Sequence, residues 1–324
     1  MNRVLVVDKP QGLTSHDVVA RVRRLTRIQK VGHAGTLDPA ATGVLVLLVG
    51  KATRLAQFFV DLDKRYRGRI VLGVTTDTQD ATGKVEATAD PSGITRGQID
   101  EAFAAFEGET EQIPPMVSAL KRGGTPLYVL ARRGEVVDRE PRPVTITDLR
   151  VLSVTLPEIE FEMACSKGTY VRTLAADIGE MLGCGAHLGE LVRTGVGPFT
   201  LEAATPLGAL TGASISMRET GYSMHEALSF MPELRVTERE EDALSTGGAI
   251  EVDRERLGDA AAAYFRLSVD GAELAAVGKR VEGIDDDVSE GSAAPGSAPA
   301  ASAGDEADAA KVRIQPVRVF TEPV

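Results

Sequence analysis

One carboxylate stands out by its setting. Asp38 lies in Val31-Gly32-His33-Ala34-Gly35-Thr36-Leu37-Asp38-Pro39-Ala40-Ala41-Thr42-Gly43-Val44-Leu45, a turn lined by three glycines and followed at once by an apolar run. Pro39 biases the residue before it away from helical backbone. The glycines permit positive φ and let a ligand come close to the main chain. A single acid presented this way suits covalent or acid–base chemistry on a bulky substrate. An Asp-Pro turn that only reverses the chain is the plainer alternative. His33, the glycines and Thr42 at these spacings weigh against it. Tyr66 stands between Arg65 and Arg67. An aromatic interleaved with cations suits the stacking of a base, at ~1–3 kcal/mol per base.

The surrounding elements follow from periodicity and turn residues. Residues 3–7 read as a buried strand that ends in the turn Asp8-Lys9-Pro10-Gln11-Gly12. Ser15 is the expected N-cap of a helix to about Arg27. Val18, Val19, Val22 and Leu25 share one face of that helix, and Arg21, Arg23, Arg24 and Arg27 the other. Residues 44–49 form a central strand and 52–60 a helix. Residues 66–74 alternate as a strand, with Arg65, Arg67 and Arg69 on one face. Thr95 and Gln98 make a capping box for a helix to about Phe106. Beyond it come a short basic helix (125–133), paired strands (142–154 and 158–164) and a helix (169–182) stopped by Gly183 and Gly185. The order of elements predicts an α+β (mixed α/β) fold, a central mixed sheet flanked by helices, over residues 1–233. From Leu234 the chain turns to short strands and glycine turns, which predicts a small C-terminal β-rich domain over 234–324. Within it, residues 282–310 hold eight acidic and no basic residues among Ala, Ser, Gly and Pro. Such a stretch cannot bury a core and is expected to be a disordered insertion.

Composition narrows the function. The chain of 324 residues is 43% hydrophobic, enough for a sizeable core. Its longest apolar run is only strand-sized, so no membrane span is expected. It opens directly on a strand, with no basic-plus-apolar leader, and a cytoplasmic protein is expected. Two cysteines without a Cys-x-x-Cys and four histidines without ligand spacing predict neither a metal site nor a disulfide framework. The run Gly43 to Thr53 has the wrong spacing for a phosphate-binding loop. The net charge of −11 sits mostly in residues 236–324, which alone carry −10. Residues 1–70, around Asp38, carry +8. A phosphate backbone needs such a basic surface, and RNA is the favoured partner. Nothing in the sequence demands more than a monomer.

Segment 31–45 closely resembles the signature of the bacterial TruB family of tRNA pseudouridine synthases. Its core, Gly35-x-x-Asp38-x-x-x-Thr42-Gly43, is similar to the pattern of the wider pseudouridine synthase superfamily. Asp8-Lys9-Pro10-Gln11-Gly12, Asp63-Lys64-Arg65-Tyr66 and Ser166-Lys167-Gly168-Thr169-Tyr170-Val171-Arg172 resemble the family's other three motifs. Residues 112–121 and 183–188 match further stretches, so the likeness runs from about residue 3 to about residue 200.

The resemblance implies isomerisation of uridine to pseudouridine at position 55 in the tRNA T-loop, with no cofactor. The N-glycosidic bond is broken, the base turns and it rejoins through C5, which requires the base to leave its stack. By resemblance Asp38 is the nucleophile, attacking either base or ribose. Arg172 is expected to pair with it, because an Arg is always charged and can hold a carboxylate ionised and oriented. Tyr66 matches a tyrosine beside the uridine implicated in proton transfer. His33 matches a histidine that inserts into the RNA loop. Tyr170 is carried over as a substrate contact, and Leu191 as a contact through its backbone. Lys9 and Pro10 are expected to support the turn, with Lys9 kept among the substrate-binding candidates. The C-terminal region stands where a PUA-type RNA-binding module follows the catalytic domain in this family. Two other functions use similar parts. A tRNA-binding or folding protein on the same scaffold has no need of Asp38, Tyr66 and Arg172 together. A glycosidase needs a second carboxylate that no motif supplies.

Overall fold

A ten-stranded mixed sheet organises the first 221 residues. The structure, a computed structural model, describes residues 1–216, 220–258, 261–269, 273–281 and 311–321. The expected insertion at 282–310 lies outside the described residues. We number the sheet's strands β1 (Arg3–Lys9), β2 (Val31–His33), β3 (Thr42–Val49), β4 (Lys64–Leu72), β5 (Gly108–Gln112), β6 (Arg142–Thr155), β7 (Glu158–Cys165), β8 (Ala186–Val196), β9 (Phe199–Thr200) and β10 (Thr205–Pro206). Their order is β10-β1-β3-β8-β4-β7-β6-β5, with β2 against β3 and β9 against β8. Pairing is parallel at β1–β10 and β3–β8 and antiparallel elsewhere.

Strands β1 and β3 read as unbroken apolar runs because both of their faces are covered. Leu5, Val7, Leu45, Leu47 and Val49 pack on the apolar side of helix α1 (Ser15–Thr26), which supplies Val18, Val19 and Val22. A second core lies under α2 (Arg96–Ala105) and α3 (Val171–Met181), where Ile99, Phe103, Leu174 and Ile178 meet Ile70, Ile159 and Phe161. The Thr95–Gln98 capping box is present.

Three local expectations change. The N-cap of α1 is Thr14, not Ser15: its hydroxyl accepts from the Asp17 amide while Asp17 reaches back to the Thr14 amide. The expected helix over 52–60 is a 3₁₀ turn (Gly50–Leu55) running into a short α-helix (Ala56–Val60). Thr125 and Pro126 belong to a two-residue strand paired with Lys121–Arg122, and the basic helix is confined to Leu127–Arg132.

Tyr222–Val324 forms a second unit. The sequence placed the division at 233/234, but residues 222–233 go with this unit. His225 faces the Glu233 carboxylate, which also accepts from Ser268. Arg266 donates to the His225 carbonyl. A five-stranded sheet runs in the order Glu233–Arg235, Tyr264–Ser268, Leu274–Val281, Lys311–Val319, Ile250–Asp253. It closes over Leu234, Phe265, Leu267 and Ile314. One helix, Glu238–Ser245, was not expected from the sequence. It is half acidic and buries only Leu244, so it shows almost no apolar period.

Candidate active site

Asp38 sits in the loop between β2 and β3, at the mouth of a cavity of about 260 Å³. The loop is fixed from beneath. Lys9 is fully buried, and its ammonium donates to the carbonyls of Pro10 (3.0 Å), Leu13 (2.8 Å) and Pro39 (3.4 Å). Burial pulls the Lys9 pKa down to about 8, against the raising effect of Asp38. Ser15, released from capping, donates its hydroxyl to the Leu37 carbonyl (3.0 Å) and accepts from the Leu37 amide (2.8 Å). The Gly12 amide donates to the Pro39 carbonyl at 2.8 Å. These bonds fix the main chain on both sides of Asp38 and leave its carboxylate 39% exposed.

Arg172 holds that carboxylate. It stands in the first turn of α3 and is 4% exposed. Its Nε donates to Asp38 Oδ2 at 2.9 Å, and its two terminal nitrogens donate to the carbonyls of Thr78 and Val117, each at 2.9 Å. Asp80 Oδ2 lies 3.7 Å from the same Nε. The other Asp80 oxygen accepts from Thr78 and Thr82, so this second acid is pinned as well. The expected Arg172–Asp38 pair therefore forms with every guanidinium nitrogen engaged. A fork so spent can orient a carboxylate in a way an ammonium cannot.

Tyr66 lies on β4, facing the cavity and nearly buried. Arg65 and Arg67 are on the opposite, exposed face, because successive strand residues alternate. The cations that flank Tyr66 in sequence are thus not the ones beside it. Its cavity-side neighbours are Lys64, which also lines the cavity, and Arg193, its register partner on β8. Burial pushes the Tyr66 phenol above its ordinary range, and Arg193 opposes that shift.

Tyr170 and Leu191 line the same cavity. Tyr170 caps α3, held through its main chain by the Gln112 side chain: its amide donates to Gln112 Oε1 (2.9 Å) and its carbonyl accepts from Gln112 Nε2 (3.3 Å). Burial raises the Tyr170 phenol's pKa. Asp38, Tyr66, Tyr170, Arg172 and Leu191 are thus brought together around one opening. His33 and Lys9 do not line it. His33 ends β2, half-buried, with its Nδ1 unpaired among the described residues and its pKa lowered by burial. Lys9 supports the turn from below with no surface for a ligand.

The sequence did not single out Asp80, Gln112, Ser15 in its clamping role, or Arg193. Asp80 left one signal, the Thr/Asp-rich run from Thr75 to Thr82. Ser15 left another, since Thr14 with Asp17 three residues on is the better cap and frees its neighbour. Gln112 opens the matching stretch 112–121, and Arg193 lies two residues after Leu191, but neither residue's type or spacing pointed to its partner.

Known proteins share this chain's sequence and architecture. Residues 23–171 match the model of the TruB family pseudouridylate synthase N-terminal domain, and residues 172–233 that of the tRNA pseudouridylate synthase B C-terminal domain. A protein of Syntrophotalea carbinolica (strain DSM 2380 / NBRC 103641 / GraBd1), named tRNA pseudouridine synthase B, is 52% identical over 237 residues, 73% of this chain and 78% of the relative. One of the same name from Burkholderia pseudomallei (strain 668) is 51% identical over 228 residues, covering 70% and 75%. Among solved structures, one of a Cbf5-Nop10-Gar1 complex superposes with a TM-score of 0.67 at 28% identity, over 86% of this chain and 78% of that one. An H/ACA RNP bound to a substrate RNA containing 2'-deoxyuridine shares the fold, with a TM-score of 0.68 at 22% identity over 99% and 86%. With its motifs meeting around one cavity and two such relatives covered over three quarters of their length, the chain belongs to the TruB family of pseudouridylate synthases.

Proposed function

We propose that this enzyme isomerises uridine to pseudouridine at position 55 in the T-loop of tRNA, with Asp38 as the nucleophile. One observation carries the proposal. A half-exposed carboxylate, fixed by Arg172, faces a cavity walled by Tyr66, Tyr170 and Leu191. A uridine turned out of its loop would meet the acid on one side and the two phenols on the other. The reaction is an isomerisation, so its atoms balance within the substrate. The N1–C1′ bond breaks, the C5–C1′ bond forms, the C5 proton leaves to a base and N1 gains a proton. Asp38 supplies the attacking oxygen, at the ribose or at the base, and is regenerated. Arg172 keeps that oxygen ionised and aimed until it attacks.

The rest of the proposal concerns RNA. Arg24, Arg27 and Lys30, at the end of α1 and just beyond it, are exposed and unpaired among the described residues, so they are available to phosphates. The C-terminal sheet stands where a PUA-like RNA-binding module is expected.

The test is an unmodified tRNA transcript incubated with the wild-type protein and with Asp38→Asn, followed by mapping of pseudouridine. Conversion of one T-loop uridine by wild type alone, with tRNA affinity equal in both, is the expected result. Equal turnover by Asp38→Asn would remove that acid from the mechanism. Tight binding without conversion by wild type would make the protein a tRNA-folding factor instead.

A further inference from the structure

Arg193 is an arginine buried to 1% exposure, and the chemistry proposed above leaves it unused. Its neighbours in the sheet give it an unusual address. On one side β8 runs parallel to β3, with Arg193 opposite Gly43. On the other it runs antiparallel to β4, with Arg193 opposite Tyr66. One residue therefore stands between the end of the Asp38 loop and the tyrosine across the cavity.

Its guanidinium is spent on that loop. Nε donates to the Val44 carbonyl at 2.7 Å, and the terminal nitrogens donate to Thr36 and Gly35 at 3.2 Å each. These carbonyls bracket Asp38 on both sides. The same guanidinium stands beside the Tyr66 phenol and opposes the pKa rise that burial imposes on it. Among the described residues no carboxylate lies within ion-pair distance of Arg193. A buried cation satisfied by neutral carbonyls is a costly way to fill space, and an apolar residue would serve stability as well or better. What an apolar residue could not do is tie two carbonyls of the Asp38 loop and one at the start of β3 to β8, the strand that pairs with Tyr66.

We infer that Arg193 is a positioning residue for the reaction, setting Asp38 and Tyr66 in register across the cavity by holding the Asp38 loop at Gly35 and Thr36 and the strand that follows it at Val44. The inference rests on the pseudouridine synthase reading. Arg172 aims the carboxylate, and Arg193 places the backbone that carries it.

Single-turnover conversion of a tRNA transcript, read with tRNA affinity and melting temperature, tests this with Arg193→Lys. The lysine keeps the charge and can reach one carbonyl, so the loop and the start of β3 are held at one point instead of three. The expected result is a rate lowered about 10²-fold, the penalty of a displacement near 1 Å, with Kd within about threefold of wild type. The loss should be smaller when the change is made in Tyr66→Phe, because the two residues act together. Should Arg193→Lys melt below the assay temperature, Arg193→Gln takes its place with the same expectation. If both variants melt there, Arg193 is a residue of the fold and the inference fails. A folded variant with the wild-type rate, or losses that add in full with Tyr66→Phe, overturns the inference alone. Wild-type protein that converts no uridine overturns the functional reading and this inference with it.

Discussion

Gly43→Ala should damage both fold and rate, and the size of the effect can be worked from the backbone. Gly43 has φ +100°, where an L side chain is strained, at a cost of ~1–3 kcal/mol. A Cβ built there would lie 2.3 Å from the Arg193 carbonyl oxygen and 2.9 Å from the Arg193 nitrogen. Ordinary contact between such atoms begins near ~3.5 Å, so β3 and β8 must part by about 1 Å, and forced backbone shifts of this kind cost ~1–3 kcal/mol more. The sum, about 2–6 kcal/mol, corresponds to a fall in melting temperature of roughly 5–20 °C for a unit of this size. The parting occurs at the pair that ties the Asp38 loop to Arg193 and Tyr66, so the rate of the folded fraction should also fall, by about 10²-fold. Thermal melting and single-turnover conversion of a tRNA transcript read the two losses separately. A Gly43→Ala protein with wild-type melting and wild-type rate would refute the close approach, and with it the reason given for a glycine at this point of the motif.

Two further outcomes follow from particular contacts. Arg172→Met strips the donors from Asp38, Thr78 and Val117 together. The expected result is a lower melting temperature, from the acceptors left without their donor, and a conversion rate down at least 10²-fold; a rate within threefold of wild type would show that Asp38 needs no cation. In the second unit, Arg256 and the Thr237 cap hold Glu240 down to a pKa of about 2, below its ordinary 4.5. A folded pKa below the unfolded one stabilises fully above about 4.5 and loses that contribution as pH falls toward 2. Denaturant melts between pH 2 and 6 should show this acid loss in wild type and a flatter curve in Glu240→Gln, whereas parallel curves would exclude the pair as its source.

What was legible in the sequence is what the chain decides locally. Pro39 and the glycines act on the residues beside them, so the Asp38 turn announced itself. The apolar runs of β1 and β3 needed only to be counted, and the Thr95–Gln98 cap only to be spaced. The misplaced cap at Ser15 was a local error too, since Asp17 stands three residues after Thr14 and could not have answered Ser15 in the same way. Arg193 is different in kind. Its acceptors, Gly35, Thr36 and Val44, lie about 150 residues away along the chain, and no window of sequence contains both ends. Gln112 reaches Tyr170 across 58 residues and was hidden for the same reason. Asp38, Tyr66 and Arg172 could be named from motifs, but the residues that hold them in place belong to the fold.

Charge illustrates the same limit. Residues 1–70 carry +8, and the sequence alone offers all of it to RNA. The structure divides it. Arg69 is taken by Glu158 and Glu190 and Arg67 by Glu160, all on neighbouring strands of the face that points away from Tyr66. Arg65 donates to the Gly197 carbonyl. Lys9 and Lys64 are buried and spend their ammonium groups on main-chain carbonyls. Arg23 reaches the Val31 carbonyl, leaving Arg24, Arg27 and Lys30 as exposed cations with no partner among the described residues. A phosphate contact releases counterions only where the cation is not already paired. The salt dependence of tRNA binding is therefore expected to track this short stretch around the end of α1, together with the basic residues that other segments present, and not the net charge of the first 70 residues. Those buried cations do a different job: Lys9 ties Pro10, Leu13 and Pro39 together beneath the Asp38 turn, and Lys64 ties Val60 and Leu62 at the entry to β4.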